Sequence, residues 1–355
     1  MITLKEIGEK CSVSIATVSN ILNGKSNVSE ATRLRILEVI RESDYKPNYM
    51  ARGLRATKTR TVGILIDDLT EFSSPKVVDG IMEELEAKNY RGIIENLRFY
   101  SKYGIEWRKN EKYEKDVASA IDYFLSIRVD GIIYVSGHSR KINCIPDSIK
   151  ELNFPFVIAY AFSEGDKYPG IIFNDSKAAE CIGEHLIQRN HKKIALIMGK
   201  KNNIHTENRL KGFKKALENS NLPINENLLY YGDWTFDSGY TSCKNLLSSS
   251  EEFSAIFCFN DLMAAGAYKA LEEAHKKVGK DIDVIGFDNR EFAAFLSPPL
   301  TTMEIPLTEI GTKASQVVLN QIEGNSYESL YEIPCKFCQR ESVGKLNNGI
   351  NAIVQ

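Results

Sequence analysis

A chain of 355 residues with 43% hydrophobic and 26% charged residues is long enough for two or three domains and has the composition of an ordinary soluble globular protein. No apolar run reaches membrane-spanning length, and Met1-Ile2-Thr3-Leu4-Lys5-Glu6 lacks the apolar stretch of a signal peptide, so a cytoplasmic protein is expected. The net charge of −2 is uneven: residues 1–60 hold eleven Lys and Arg against six Asp and Glu, net +5, and the remainder holds 34 against 41, net −7. Phosphate contact is expected at the basic end, with no general affinity for polyanions elsewhere.

Leu4 and Ile7 have the spacing of one helix face. Cys11-Ser12-Val13 interrupts, and Ser14 caps a second helix whose apolar residues are Val18, Ile21 and Leu22. Its other side offers Ile15, Ala16, Thr17, Ser19 and Asn20, a short, uncharged set able to meet base edges. A third helix starts at N-cap Ser29, with Glu30 in its first turn and Leu34, Leu37 and Ile40 inward.

After a polar, basic linker at 56–61, short apolar strands alternate with amphipathic helices through two similar halves, roughly 62–161 and 171–290. That pattern is one of parallel sheets covered on both faces, with ligands held at the C-terminal ends of the strands. The segment 97–115, rich in Tyr, Lys, Arg and Glu, reads as a surface insertion, with a lid or partner role as the alternative. The seven cysteines read as reduced, mostly buried thiols. Cys335 and Cys338 have no matching second ligand pair, so no metal is expected. A Gly-rich phosphate loop and a nucleophile with its base are both missing, which argues against an enzyme and for no cofactor.

The strings Leu4-Lys5-Glu6-Ile7 and Val13-Ser14-Ile15-Ala16-Thr17-Val18-Ser19, then Leu22-Asn23, Val28-Ser29, Thr32-Arg33 and Tyr45, Pro47 and Asn48, resemble the lac/gal repressor family. The resemblance covers nearly the whole chain. It implies an N-terminal all-α helix-turn-helix headpiece (1–46) and a hinge helix with linker (47–60). After them comes an α/β core like that of periplasmic binding proteins, made of two doubly wound parallel-sheet lobes. The first lobe would comprise 61–162 and 305–333, and the second 163–304 and 334–345, leaving a tail at 346–355. The chain would cross between lobes near 162–173, near 291–304 and shortly after 333.

By the same resemblance, Ile15, Ala16 and Asn20 read bases, with Leu4 and Thr17 beside them. Thr3, Ser14, Ser19, Asn27, Ser29, Thr32 and Tyr45 hold phosphates. Ala51 and Leu54 lie in the hinge, where Leu54 matches the leucine that wedges into the minor groove. The implied effector site comprises Phe72, Ser74 and Tyr160 from the first lobe, and His205, Arg209, Trp234, Asn260 and Asp288 from the second. A planar Arg fork, a carboxylate, an amide and an aromatic wall suit a small polyol, and Trp234 favours a sugar over a purine. Asp261 reads as the N-cap of its helix rather than a ligand; His205 alone would be a surface histidine, and Trp234 alone a core residue.

The implied partners are double-stranded operator DNA, a small effector and a second copy of the chain. A phosphorylated carrier protein as co-repressor is disfavoured, because Thr308, Ser315, Gln316 and Asn320 replace the Tyr, Met, Arg and Lys of relatives that use one. A periplasmic solute receptor of the same core fold would lack the DNA head.

Overall fold

The computed structural model describes residues 2–22, 28–43, 45, 58–104, 106–110, 112–137, 139–163, 165 and 167–344. They divide into two units, one within 1–59 and one within 60–355.

The first unit holds α1 (Leu4–Lys10), α2 (Ile15–Leu22) and α3 (Glu30–Glu42). Thr3 closes a capping box on α1, its side chain accepting from the Glu6 amide while its own amide donates to the Glu6 carboxylate at 2.7 Å. Ser14 Oγ accepts from the Thr17 amide at 3.1 Å and Ser29 Oγ from the Thr32 amide at 3.4 Å, and such caps contribute about 1 kcal/mol each. The core is Ile7, Cys11, Val18, Ile21 and Ile36. On α3 the expected inward set is corrected: Leu34 is 59% and Leu37 41% exposed, while Ile36 is fully buried with Val39 and Ile40 packed beside it. Two apolar stripes run along this helix, and only the one at 36, 39 and 40 faces α1 and α2.

The second unit begins with β1 (Thr61–Ile66), α4 (Ser74–Ala87), β2 (Arg91–Asn96), α5 (Phe99–Tyr103), α6 (Lys112–Ser126), β3 (Gly131–Val135), β4 (Lys141–Ile142), α7 (Asp147–Glu151), β5 (Phe156–Ala159), β6 (Phe162–Ser163) and β7 (Gly170–Phe173). It continues with α8 (Asp175–Gln188), β8 (Ile194–Met198), α9 (Ile204–Asn219), β9 (Leu229–Tyr231), α10 (Phe236–Ser248), β10 (Ala255–Cys258), α11 (Asp261–Glu273), β11 (Asp283–Ile285), β12 (Thr302–Glu304), α12 (Leu307–Glu323), β13 (Leu330–Ile333) and β14 (Lys336–Cys338). Six parallel strands make the first sheet, in the order β13-β7-β5-β3-β1-β2, and four make the second, β11-β10-β8-β9. Runs such as Ile64-Leu65-Ile66 and Ala195-Leu196-Ile197-Met198 are wholly buried because helices cover both sheet faces.

Gly170–Phe173, read from the sequence as opening the second half, lies in the first sheet, between β5 and β13. An apolar four-residue run carries no mark of which sheet will take it, so the first crossing falls after Phe173 rather than at 163. The late helix α12 packs on α4, β3, β5 and β7 of the first lobe. Two of the connections, through β12 and β14, pair with each other antiparallel.

Three helix pairs meet through glycines on both partners. A Cβ on Gly80 of α4 would strike the Thr308 carbonyl of α12, and one on Gly311 of α12 the Val77 carbonyl of α4. Gly212 of α9 lies against the Ser176 carbonyl and Gly183 of α8 against Ala216. Gly239 of α10 lies against the Met263 carbonyl, and Gly266 of α11 against that of Phe236. Backbone therefore rests on backbone at each crossing.

His185 of α8 packs its ring 4.4 Å from that of Phe337 on β14, with Nδ1 3.1 Å from Arg189 Nη1. Burial, helped by the Arg189 charge, pushes its pKa down to about 4. The unfolded chain binds the proton more readily, so this group's contribution to stability is present above pH 6.5 and is lost as pH falls toward 4. His185→Phe should therefore narrow the drop in melting temperature between about pH 7.5 and pH 5; an unchanged drop would overturn this.

Candidate functional site

On α2, Val18 and Ile21 point inward, Ala16 is exposed, and Ile15, Thr17, Ser19 and Asn20 are part-exposed. One face of the helix is thus left free of packing. Thr3, Ser14 and Ser29 are exposed at helix starts, and Thr32 and Tyr45 are part-exposed. The Ser14–Thr17 and Ser29–Thr32 hydroxyl pairs lie 2.9 Å apart. Leu4 is half-committed to the small core. Asn27, Ala51 and Leu54 lie outside the described residues.

In the second unit Asn260 and Asp288 follow the ends of β10 and β11, while His205 and Arg209 lie on α9, the helix after β8. The Arg209 guanidinium donates through Nε to Asp175 Oδ1 at 2.7 Å and through Nη1 to the Phe259 carbonyl. It stacks 3.6 Å from the Phe287 ring centroid and 5.6 Å from that of Trp234. Its Nη2 group has no partner among the described residues. The other Asp175 oxygen meets His205 Nδ1 at 2.7 Å. Burial works to raise the Asp175 carboxyl, but His205 and Arg209 outweigh it and its pKa lies below the usual range. His205 is 7% exposed, not a surface residue; its ring stacks on Phe173 at 5.8 Å and lies 6.5 Å from Tyr160.

Asp288 faces this cluster. Its backbone has φ 118°, costly for a non-glycine residue, and is held by its amide donating to the Met303 carbonyl at 2.7 Å. The next residue, Asn289, has φ 54° and accepts from Arg340 Nη2 at 2.7 Å. Burial pushes the Asp288 carboxyl well above the usual range, with Arg209 opposing, and no donor among the described residues reaches it.

Two expectations are revised here. Asn260, not Asp261, is the N-cap of α11: its Oδ1 accepts from the Met263 amide at 2.8 Å and its Nδ2 donates to the Trp234 carbonyl at 2.9 Å. Asn260 therefore fixes the Trp234 loop, where Trp234 itself has φ 76° and lies against Gly199. Asp261 is fully buried and accepts from Thr302 Oγ1 at 2.6 Å and from the Arg290 amide at 2.7 Å. Burial raises its pKa to about 6.

From the first lobe, Ser74 is fully buried at the start of α4 with no partner for its hydroxyl among the described residues, Tyr160 is 2% exposed and stacks on Phe173 at 5.7 Å, and Phe72 is half-buried. The segment 97–115 is no loose insertion: Phe99 is fully buried, Trp107 is 1% exposed, and with Tyr113 they extend the first-lobe core. Tyr100 grips the loop that carries Phe72, its hydroxyl on Glu71 and its amide on Asp68 Oδ2 at 3.0 Å. Sequence reasoning missed Asp175, Phe173, Phe287 and Arg290. Asp175 reads as a first-turn helix acid, and nothing along the chain ties it to an arginine 34 positions away.

These groups bind polar atoms and carry no nucleophile with an activating base. A family model described as bacterial regulatory proteins, lacI family, matches residues 3–48, and one described as a periplasmic binding protein-like domain matches 184–343. Catabolite control protein A of Priestia megaterium is 30% identical over 343 residues, covering 96% of this chain and 99% of its own. The HTH-type transcriptional repressor PurR of Vibrio atlanticus (strain LGP32) is 30% identical over 349 residues, covering 98% and 100%. The lac repressor dimer bound to operator and an anti-inducer superposes with a TM-score of 0.79 at 24% identity, over 97% of this chain and 99% of that one. With a reading-head unit, a two-lobed core and full-length relatives in agreement, the chain belongs to the lacI family of bacterial transcriptional regulators and is a repressor of that family, not an enzyme.

Proposed function

We propose that this repressor acts as a homodimer on a roughly palindromic operator and controls carbohydrate-utilisation genes in response to a small sugar-like effector. The observation that carries the effector class is the cleft cluster: Arg209 with Nη2 uncommitted, the unpartnered Asp288 carboxyl, and Trp234 beside them. Hydroxyl groups that both donate and accept satisfy such a set, and the aromatic wall takes the C–H side of a ring. Lobe closure on the effector would shift the lobes' relative orientation and weaken operator binding, a coupling of about 1–3 kcal/mol. The second reading is a purine effector, whose ring nitrogens and carbonyls the same Arg209 and Asp288 would also meet, with Trp234 against its plane. A thermal-shift screen of mono- and disaccharides against purines separates the two: a sugar alone should raise the melting temperature, and a purine alone would overturn the sugar reading.

A phosphocarrier co-repressor remains disfavoured, even beside a relative named catabolite control protein A. Ser315, at one of the four positions that would meet it, is fully buried and donates to the Ile81 carbonyl at 3.2 Å.

On DNA, Asn20 suits the N6/N7 edge of adenine, whereas Arg suits the O6/N7 edge of guanine. Asn20→Arg should switch one position of each half-site from adenine to guanine in a randomised-operator screen. A guanine already selected by the natural protein would refute the assignment. Leu54→Ala should lower specific affinity more than nonspecific affinity, since a wedge acts only where the DNA kinks; equal losses in titrations against operator and random DNA would count against it.

A further inference from the structure

Outside the buried cluster, one contact spans the two lobes at the rim of the cleft. The Arg290 guanidinium, in the loop after β11 of the second lobe, lies 4.4 Å from the ring centroid of Phe72, in the loop after β1 of the first. Both residues are half-buried, whereas Arg209 and Asp288 inside are 3% and 9% exposed. Each side is held from behind. The Arg290 amide donates to Asp261 Oδ2 at 2.7 Å, and Asp261 is locked by Thr302. On the other side, Tyr100 grips Glu71 and Asp68, and Ser73 Oγ donates to the Gly137 carbonyl at 2.5 Å, so Phe72 has fixed neighbours on both sides in sequence. The Arg290 guanidinium makes no ion pair or hydrogen bond among the described residues; its charge acts at longer range on the Asp261 and Asp288 carboxyls, and the Phe72 face is the group it stacks on.

We propose that Phe72 and Arg290 form a latch that holds the two lobes closed at the rim and must part for the cleft to open, with Tyr100 positioning Phe72. A guanidinium over an aromatic face gains from the ring quadrupole and suffers little competition from water when half-buried. Among the described residues the two bodies also share the connecting chain, the rings of Tyr160, Phe173, His205 and Phe287 deeper inside, and further apolar packing. A latch of this kind works whichever ligand the cleft takes, so its test needs none.

The experiment is single-pair FRET on the full chain, with dyes placed by unnatural amino acids at exposed Glu86 of α4 and Glu218 of α9, and an excess of unlabelled chain so that each assembly carries one dye pair. Phe72→Leu and Arg290→Met should each raise the open-to-closed ratio by about two- to fivefold, the shift such a half-exposed contact supports. The double variant should go no further than either single one, because one interaction is lost in all three. Arg290→Lys, with its charge but no planar face, should fall between, and Tyr100→Phe should raise the ratio less than Phe72→Leu. Unchanged ratios in the single variants, or additive effects in the double one, would overturn the latch.

Discussion

Asp175→Ala is expected to lower stability by about 3–5 kcal/mol, because it leaves the buried Arg209 guanidinium without its counter-charge. Asp175 is 4% and Arg209 3% exposed, so water cannot take over the lost bonds. Urea unfolding near neutral pH reads the effect, and Asp175→Asn, which keeps an acceptor but not the charge, should recover part of it. Any thermal shift that a sugar gives the natural protein should vanish in Asp175→Ala, since the fork that would meet hydroxyls loses its orientation. A loss below about 1 kcal/mol would place the pair among weak surface-like ion pairs and remove the basis for reading Arg209 as a fixed fork.

Gly212→Val carries the other large effect. Its side chain would press on the Ser176 carbonyl, a backbone atom that cannot rotate away, so α8 and α9 must separate. Overpacking a core costs about 1–3 kcal/mol, and a backbone-on-backbone contact lies at or above that upper end. Gly324→Ala is the control. That glycine ends α12 with φ 77°, and apart from its own chain neighbours no described atom lies within 4 Å of the point an added methyl would occupy. Only the left-handed backbone is then penalised, by about 1 kcal/mol. Chemical denaturation should show Gly212→Val to be much less stable than Gly324→Ala; equal losses would mean the α8–α9 crossing can relax.

The parts legible in the sequence are those written in local pattern. Helix caps at Ser14 and Ser29 and the buried parallel strands follow from residue type and spacing, since each depends on neighbours within a few positions. Arg209, Asn260 and Asp288 are picked out by the resemblance alone, and the structure sets Arg209 on α9, beside Trp234 and Asp288. What escaped depends on distant partners. Asn260 and Asp261 are both good caps, and only the tertiary bonds of Asp261 to Thr302 and Arg290 settle which one takes the role. Leu34 and Leu37 form as good a stripe as Ile36, Val39 and Ile40 until a neighbour chooses between them. The aromatic residues of 97–115 looked like surface because a run of Lys, Arg and Glu surrounds them; Phe99 and Trp107 are nonetheless among the fully buried side chains.

The backbone that carries Asp288 hangs from β12 through the Met303 carbonyl, and Asp261 beside it is tied to Thr302 of the same strand. That strand is also a piece of chain running from one lobe to the other. Under the proposed function, a ligand pulling on the Asp288 carboxyl would tug the connector itself, at a distance of one hydrogen bond. Grip and pivot would then share a part, and a contact made in the cleft would become torque between the lobes.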